Sequence, residues 1–404
     1  MKITLINPPS PYLINDAAYP PSGLMYLAAS LESMNHQVEI IDFTGNNNWR
    51  KETSKLNSEL FGITCVTPNF TIVKEICSYL PKEIPKIIGG AHPTYLPNDV
   101  LDNIQCNSLV SGEAEVIIHQ MIKDIKNKNL KLIYEGGLVD VDKIQKPARH
   151  LLDLHKYHPG GEKTTPIYTS RGCPFNCNFC SKLTGSIVRY IPIPQILEEI
   201  EEVKNLGFKK ILFGDDNIGV NNKRLNNLLN SIKPCQIEFR LNQDVRSINE
   251  NTVKLAAEVG CTEISFGIES GSQKMLDAMN KCTTVEENKR ALLIPKKENI
   301  STKAYFIVNY PGENEKTIKE TLKFAEETMP EKWLLSSFAP LPGSEIFNDP
   351  NKYGITWMSK NWEDYYLVGK EGKFKPCFET RDLRIENQIY YHDLLMDGLK
   401  SILG

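Results

Sequence analysis

No stretch of this 404-residue chain is apolar for long enough to cross a bilayer, which takes about 18 consecutive apolar residues. The opening Met1-Lys-Ile-Thr-Leu-Ile-Asn-Pro-Pro9 meets its prolines too early to form a secretion signal. Charge of one sign is also missing. Lys and Arg number 47 against 50 Asp and Glu, a net charge of -3, so there is no broad electrostatic footprint for nucleic acid. The expectation is a cytoplasmic protein with neither a membrane nor a nucleic-acid partner. Histidine is scarce: there are 7, and none falls between His158 and His392. The 10 cysteines show no pairing pattern, which argues for a reducing compartment over a disulfide framework. A content of 41% hydrophobic and 24% charged residues suits a globular protein, and the length suits two ordinary domains.

What is present is concentrated at Cys173, Cys177 and Cys180, in Thr169-Ser-Arg-Gly-Cys-Pro-Phe-Asn-Cys-Asn-Phe-Cys-Ser181. Thiolates select iron–sulfur clusters or zinc. Zinc sites usually pair two CxxC knuckles or add histidines, so zinc or unliganded thiols are the weaker alternative here. A purely electron-carrying [4Fe-4S] cube is closed by four cysteines, yet the next cysteine after Cys180 is Cys235. Three thiolates would leave one iron open, and an open metal position marks a catalytic site rather than a structural one.

Along the first third, short β-rich runs alternate with amphipathic stretches. Strands are expected at 2–7, 37–42, 60–64, 85–89 and 108–110, with helices at 23–35, 69–80 and 113–126. This order predicts an α/β, doubly wound, Rossmann-like parallel sheet. The carboxyl ends of its strands carry Asn7-Pro8-Pro9, Cys65-Val-Thr67-Pro68, Gly89-Gly90-Ala-His92-Pro93 and Ser111-Gly112-Glu113, where such sheets hold cofactors. Periodicity fades from 136 to 164, as in a linker. A second series follows, with strands expected at 166–170, 210–213, 236–241, 263–266, 302–308 and 333–337 and helices between them. Six β/α units predict a partial (β/α)6 barrel, open at one side. The expected division is therefore a first domain at 1–135, a linker at 136–164, the barrel at 165–340 and a small C-terminal extension at 341–404. The aromatic residues of that extension, among them Trp357, Trp362 and Tyr365, more commonly pack than line a channel.

The CxxxCxxC spacing after a short strand, with Phe179 before its last cysteine, resembles the radical S-adenosylmethionine (radical SAM) superfamily. The resemblance implies that Cys173, Cys177 and Cys180 hold a [4Fe-4S] cluster. Its open iron would chelate SAM, and an electron from the cube would cleave SAM to methionine and a 5′-deoxyadenosyl radical. Phe213-Gly214-Asp215-Asp216-Asn217 is similar to the family motif that receives the SAM amino group, and carboxylates suit an ammonium. A bare Asp-Asp pair would otherwise be a surface turn. Gly267-Ile-Glu269-Ser-Gly271 is similar to the ribose-holding segment, where Glu269 would accept two hydroxyl hydrogen bonds. In Arg240-Leu-Asn242-Gln-Asp-Val-Arg246, Asn242 would reach the SAM carboxylate, and Arg240 or Arg246 would anchor an anion. Pro311-Gly-Glu313 and Pro340-Leu-Pro-Gly-Ser344 match the same pattern. The implied SAM-binding set is Phe179, Gly214, Asp215, Asp216, Asn242 and Glu269.

The first domain resembles the cobalamin (B12)-binding domain placed before the barrel in one branch of that superfamily. The resemblance rests on the strand-end loops and on Pro20-Pro-Ser-Gly-Leu-Met-Tyr-Leu-Ala-Ala29. It implies corrin contacts from Asn7, Pro8, Pro9, Thr67, Gly89, Gly90, His92, Gly112 and Glu113. The DxHxxG motif that supplies a histidine to cobalt is missing. Asp153-Leu-His155-Lys-Tyr-His158 imitates its start, but His158 stands where glycine is required, so this segment is a decoy. As a lone histidine, His92 reads by default as a turn residue hydrogen-bonded to backbone. The rival arrangement, a methylthiotransferase with a second cluster on Cys65, Cys77 and Cys106, conflicts with the mid-helix position of Cys77, and buried free thiols are the better reading.

The implied activity is that of a cobalamin-dependent radical SAM methyltransferase, moving methyl from SAM through methylcobalamin to an unactivated carbon after hydrogen abstraction. Cyclisation, oxidation or rearrangement without methyl transfer is the alternative within the branch, and a non-enzymatic cluster-and-corrin sensor is the alternative outside it. Expected partners are a reductant such as flavodoxin or ferredoxin and a small-molecule, peptide or protein substrate.

Overall fold

A computed structural model describes residues 1–157, 163–369 and 374–404. His158, the last residue of the decoy motif, lies outside them. The chain forms two compact units: Met1–Lys163 with Lys182–Gly185 and Lys360–Tyr365, and Thr164–Ser181 with Ser186–Ser359 and Tyr366–Gly404.

The first unit runs β1 (Lys2–Asn7), α1 (Ser22–Glu32), β2 (Gln37–Asp42), α2 (Trp49–Thr53), β3 (Leu60–Thr64), α3 (Phe70–Tyr79), β4 (Lys86–Gly89), α4 (Ala91–Tyr95), α5 (Pro97–Asn103), β5 (Ser108–Ser111), α6 (Ile118–Lys126) and β6 (Ile133–Glu135). The strands form a 6-stranded sheet in the order β2-β1-β3-β4-β5-β6, and each pairing is parallel. Central strands of such a sheet are buried on both faces, hence the nearly continuous apolar run of β1. Ile6, Phe61, Ile63, Ile88 and Leu109 from the strands pack with Val73, Ile76 and Cys77 of α3. Burial of each large aliphatic side chain contributes roughly 1.5–3 kcal/mol.

Strand order reverses between β1 and β3, and the crevice outside the carboxyl ends at such a switch point is the usual ligand position. The two loops flanking it are tied together. The Tyr12 hydroxyl bonds the Asn69 carboxamide oxygen, and the Asn69 amide donates to Ser10 Oγ at 3.2 Å. The segment expected as a linker packs within this unit, burying Val141, Ile144, Ala148, Leu154 and Tyr157. Its short turns carry no sustained helical or strand period, and β6, three residues long, is too short to show one.

The second unit runs β7 (Thr164–Ile167), β8 (Ser170–Arg171), β9 (Arg189–Tyr190), α7 (Ile193–Asn205), β10 (Lys210–Phe213), α8 (Asn222–Ile232), β11 (Glu238–Gln243), α9 (Glu250–Val259), β12 (Cys261–Glu269), α10 (Gln273–Ala278), α11 (Val285–Lys296), β13 (Ser301–Val308), α12 (Glu315–Thr328) and β14 (Lys332–Ser337). It continues with α13 (Glu345–Asn348), β15 (Ile355–Met358), β16 (Phe378–Thr380) and α14 (Ile385–Leu403). Six parallel strands form a curled half-barrel in the order β14-β13-β12-β11-β10-β7. Along β13, Thr302, Ala304, Phe306 and Val308 are buried while the alternate residues are half-buried, the period-2 signature of a sheet with one covered face.

The first barrel strand stops at Ile167, short of the expected residue 170. Asp215 takes the Thr169 N–H at 3.0 Å and the Ser170 hydroxyl at 2.6 Å, which removes Thr169 from the parallel ladder. Ser170 and Arg171 then pair antiparallel with Tyr190 and Arg189. The C-terminal extension forms the β15–β16 hairpin and α14, the latter packed on α12.

Gly271 locks β12 onto α12: a Cβ there would lie 2.4 Å from Phe324 Cβ and 2.8 Å from Thr321 Cα. Gly271→Ala is expected to cost about 1–3 kcal/mol through overpacking and to lower the midpoint of thermal denaturation. An unchanged midpoint would contradict this packing.

Candidate functional site

The cysteine loop is positioned by the segment after α10 and by the Pro340–Ser344 turn. The Asn178 N–H donates to Met279 O at 3.0 Å, its carboxamide donates to Ala278 O at 3.1 Å, and its carbonyl accepts from the Ile346 N–H at 3.3 Å. The Asn280 amide donates to Asn176 O at 2.7 Å, and the Ser181 hydroxyl to Pro342 O at 2.8 Å. A turn from the Cys180 N–H to Cys177 O, 3.2 Å, shapes the loop between the last two cysteines. None of the three cysteines is joined in a disulfide. Cys173 and Cys177 are half-buried and Cys180 is exposed, with Phe179 half-buried between them. Among the described residues no three His, Cys, Asp or Glu side chains are gathered closely enough to hold a metal ion. The loop fits a [4Fe-4S] cluster by its donor set, three thiols within eight residues.

Beside Cys177 lies a buried set of charges. Glu269 ends β12 with φ +61°, a left-handed conformation that costs a non-glycine residue about 1–3 kcal/mol. Its Oε1 accepts from Lys281 Nζ at 2.8 Å, with both side chains buried. Lys281 Nζ also stands 3.9 Å from Asp244. Asp244 accepts Arg246 in a bidentate pair at 2.7 and 2.9 Å, and the guanidinium lies 3.4 Å over the Phe175 ring. Burial pushes the Lys281 ammonium down, but Glu269, Cys177 and Asp244 outweigh it and hold its pKa above the ordinary value. Burial likewise pushes Asp244 up, yet Arg246 and Lys281 win and hold its carboxyl below the usual carboxylate range. The Cys177 thiol is pushed up by burial, against the pull of Lys281. A thiolate ligand needs such cationic neighbours.

Asp215 is turned inward and accepts from Thr169 and Ser170, so it braces the start of the cysteine loop. Burial pushes its pKa up to about 6, against these hydrogen bonds. Asp216 is exposed. Gly214 is required by packing, since a Cβ there would lie 2.9 Å from the Tyr168 ring. Several polar groups at this rim have unused capacity among the described residues. The Asn217 amide nitrogen and both side-chain polar atoms of fully buried Asn309 have no hydrogen-bond partner. Buried carboxamides are normally satisfied, and these, with half-buried Asn242 on the same strand ends, fit a polar ligand such as SAM. Asn309 has φ +69°, a conformation Asn tolerates.

In the first unit, the strand-end loops place the expected corrin contacts as follows. The Asn7 amide is engaged by Asp42 at 2.8 Å and Thr44 at 3.3 Å, and Pro8 and Pro9 are buried. Gly89 has open space on its Cα, with nothing within 4 Å of an added Cβ. Gly90, at φ +110°, lies so close to Cys65 that a Cβ would be 2.7 Å from the Cys65 carbonyl oxygen. Gly112 similarly abuts Gly136 O at 2.9 Å, and buried Glu113 accepts from the Val139 N–H at 2.5 Å. The open side of Gly89 and the β1–β3 crevice fit a bulky ligand approached closely by backbone.

His92 is no backbone-bonded turn residue. It sits in α4, fully buried, with Nδ1 at 3.3 Å from Thr67 Oγ1 and Nε2 at 3.0 Å from Asp99. Trp362 Nε1 donates to the same Asp99 at 2.8 Å, and the Trp362 ring meets His92 edge-on at 5.2 Å. Burial pushes the His92 pKa down, opposed by Asp99. Cys65 and Cys77 are buried in the apolar core and Cys106 packs against it. Burial raises all three thiols, Cys77 to about 12, so they have the character of inert core thiols.

Sequence reasoning gave no role to Asn178, Lys281, Asp244 or Asn309, and it placed Trp362 among the aromatic residues that pack. Asn178 and Asp244 fall within the motif segments 169–181 and 240–246, and no such signal marks Lys281 or Asn309.

Comparison with known proteins gives two family matches: the Radical SAM superfamily over residues 167–325 and the B12 binding domain over residues 16–121. Bacteriochlorophyllide d C-8(2)-methyltransferase of Chlorobaculum tepidum is 27% identical over 385 residues, 89% of this chain and 83% of that protein. Anaerobic magnesium-protoporphyrin IX monomethyl ester cyclase of Cereibacter sphaeroides is 24% identical, over 82% of this chain and 60% of that protein. The fold is also that of the radical S-adenosylmethionine methyltransferase TsrM from Kitasatospora setae, solved with cobalamin and a [4Fe-4S] cluster. The TM-score is 0.76 at 16% identity, covering 100% of this chain and 89% of that one.

Glu313, after β13, is fully enclosed, and burial pushes its pKa from 4.5 up to about 8 against hydrogen bonds from the Asn309 and Tyr310 backbone. A carboxyl with a raised folded-state pKa stabilises the fold at low pH and loses that contribution as pH rises towards the folded value. Glu313→Gln, fixed in the neutral form, is therefore expected to gain stability relative to the parent chain between pH 4.5 and about 8. A stability difference that is flat over this window would contradict the assignment.

Proposed function

Because the chain is a radical SAM protein with a B12-binding domain in front of its barrel, we propose that it is a cobalamin-dependent methyltransferase acting on an unactivated carbon. The observation that carries this reading is the joining of the two domains in one chain, an arrangement covered along 89% of its length by a methyltransferase relative. When bound, the [4Fe-4S] cluster and SAM supply the hydrogen-abstracting radical and the corrin supplies the methyl carrier.

The residues act by holding and excluding. Cys173, Cys177 and Cys180 provide the thiolates, and Lys281 and Arg246 offset their negative charge. Glu269, Asn242, the Asn217 amide nitrogen and the Asn309 carboxamide supply polar contacts for SAM at the strand ends. Phe179 and Phe175 shield the loop, and Asp215 fixes where it begins. In the first unit, Gly89, Gly90 and Gly112 allow the backbone to approach the corrin, while Asn7, Pro8, Pro9, Thr67 and Glu113 shape its crevice. His92 is a positioning residue here, since Thr67 and Asp99 engage both of its ring nitrogens. Radical SAM chemistry requires an external electron, a role we assign to a flavodoxin or ferredoxin. Among the described residues no helix is long and apolar enough to cross a membrane.

Cyclisation without methyl transfer is the second reading, favoured by the likeness to a cyclase over 82% of the chain. SAM with a deuterated methyl group separates the two. Label in the product is expected, together with complete loss of 5′-deoxyadenosine in Cys177→Ala. Unlabelled product would favour cyclisation, and undiminished 5′-deoxyadenosine from Cys177→Ala would overturn the cluster assignment.

A further inference from the structure

The concave face of the barrel sheet carries a polar floor that the SAM contacts at the rim do not use. The alternation of β13 commits Thr302, Ala304, Phe306 and Val308 to the buried layer and leaves Lys303 and Tyr305 half-buried on the opposite face. Neighbouring strands extend that face. Arg240 is in register with Glu263, and Ser265 with Lys303. Glu263 is already engaged, accepting from Lys332 Nζ at 2.7 Å and from the Ser265 hydroxyl at 3.3 Å. The Arg240 guanidinium donates to Thr164 Oγ1 at 3.4 Å.

Lys303 differs from these neighbours. Among the described residues its ammonium has neither an ion pair nor a hydrogen bond, and it lies 5.1 Å from the centre of the Tyr305 ring. Burial lowers its pKa. Glu263 opposes that shift, while Arg240 and Lys332 add to it. The Glu263 carboxylate near it is already bonded to Lys332 and Ser265, so a partly desolvated ammonium without a direct partner is stabilised further by an added oxyanion.

We propose that Lys303, with Tyr305 beside it and Arg240 two strands away, binds an oxyanion of the substrate, either a carboxylate or a phosphate-type group. Lys303 precedes Val308, the last residue of β13, by five positions, which is about 16 Å at roughly 3.3 Å per residue. The acidic group therefore belongs to the part of the substrate remote from the carbon that reacts at the strand ends. This deepens the methyltransferase reading and rests on it for the word substrate, but the anion site itself can be tested without turnover.

Lys303 is followed by competitive labelling with fluorodinitrobenzene and peptide mass spectrometry on the anaerobically purified full chain. Propionate and methylphosphonate are compared with chloride at equal ionic strength, with exposed Lys316 as the internal reference. At a few times its Kd, a bound oxyanion slows labelling of Lys303 about fivefold and leaves Lys316 unchanged. Protection by propionate alone identifies a carboxylate site, and protection by methylphosphonate alone a phosphate-type site. Lys303→Met is expected to weaken binding of the protecting anion, measured by calorimetry, about tenfold or more. Equal labelling in all three salts would overturn the proposal whether or not the chain transfers methyl. A failed methyl transfer with Lys303 still protected would instead count against the reaction and leave the anion site standing.

Discussion

The Lys281 ammonium, buried between Glu269 at 2.8 Å and Asp244 at 3.9 Å, is the constraint on which the barrel site depends. Breaking a buried ion pair by removing one partner typically costs about 3–5 kcal/mol, because the surviving charge is left uncompensated. The pair therefore ties the ends of β11 and β12 to the segment after α10. That segment in turn receives Asn178 and Asn176 of the cysteine loop. The same ammonium opposes the burial that disfavours a Cys177 thiolate. One charge thus pairs with Glu269 at the end of β12, stands near Asp244 after β11 and favours the thiolate form of Cys177.

The first unit uses a different device. At the carboxyl end of its sheet, Gly90 and Gly112 admit no Cβ without displacing backbone, as Gly90 shows against Cys65. Its one histidine near that end is spent on structure. Thr67 and Asp99 engage His92, and Trp362 shares Asp99. A B12-binding domain without DxHxxG therefore has a physical counterpart here: the histidine closest in sequence to the Gly-Gly turn is enclosed by Phe70 and Trp362 rings and has no ring nitrogen to spare.

The elements legible in the sequence were those whose signal is local. The spacing of Cys173, Cys177 and Cys180 is chemistry written within eight residues, and β13 is marked by the apolar run that ends it, Tyr305-Phe-Ile-Val308. The end of β7 was not legible, because the acceptor that pulls Thr169 from the ladder is Asp215, 46 residues away. The bond from Trp362 to Asp99 spans 263 residues, and the partners of Lys281 come from two different strand ends. Such contacts leave no periodicity. Asp215 was legible as a motif residue, yet its carboxylate serves Thr169 and Ser170, a use that depends on which way a buried side chain turns.

The central claim is that the two halves of this chain serve one reaction, the barrel making a radical and the B12-binding domain delivering a methyl group. Its most direct test is the product balance of the anaerobically reconstituted holoenzyme under a strong reductant. Methylated product, 5′-deoxyadenosine and S-adenosylhomocysteine are quantified together. The account predicts that the three form in equal amounts. Methylated product accompanied by S-adenosylhomocysteine but no 5′-deoxyadenosine, or by 5′-deoxyadenosine but no S-adenosylhomocysteine, would contradict it.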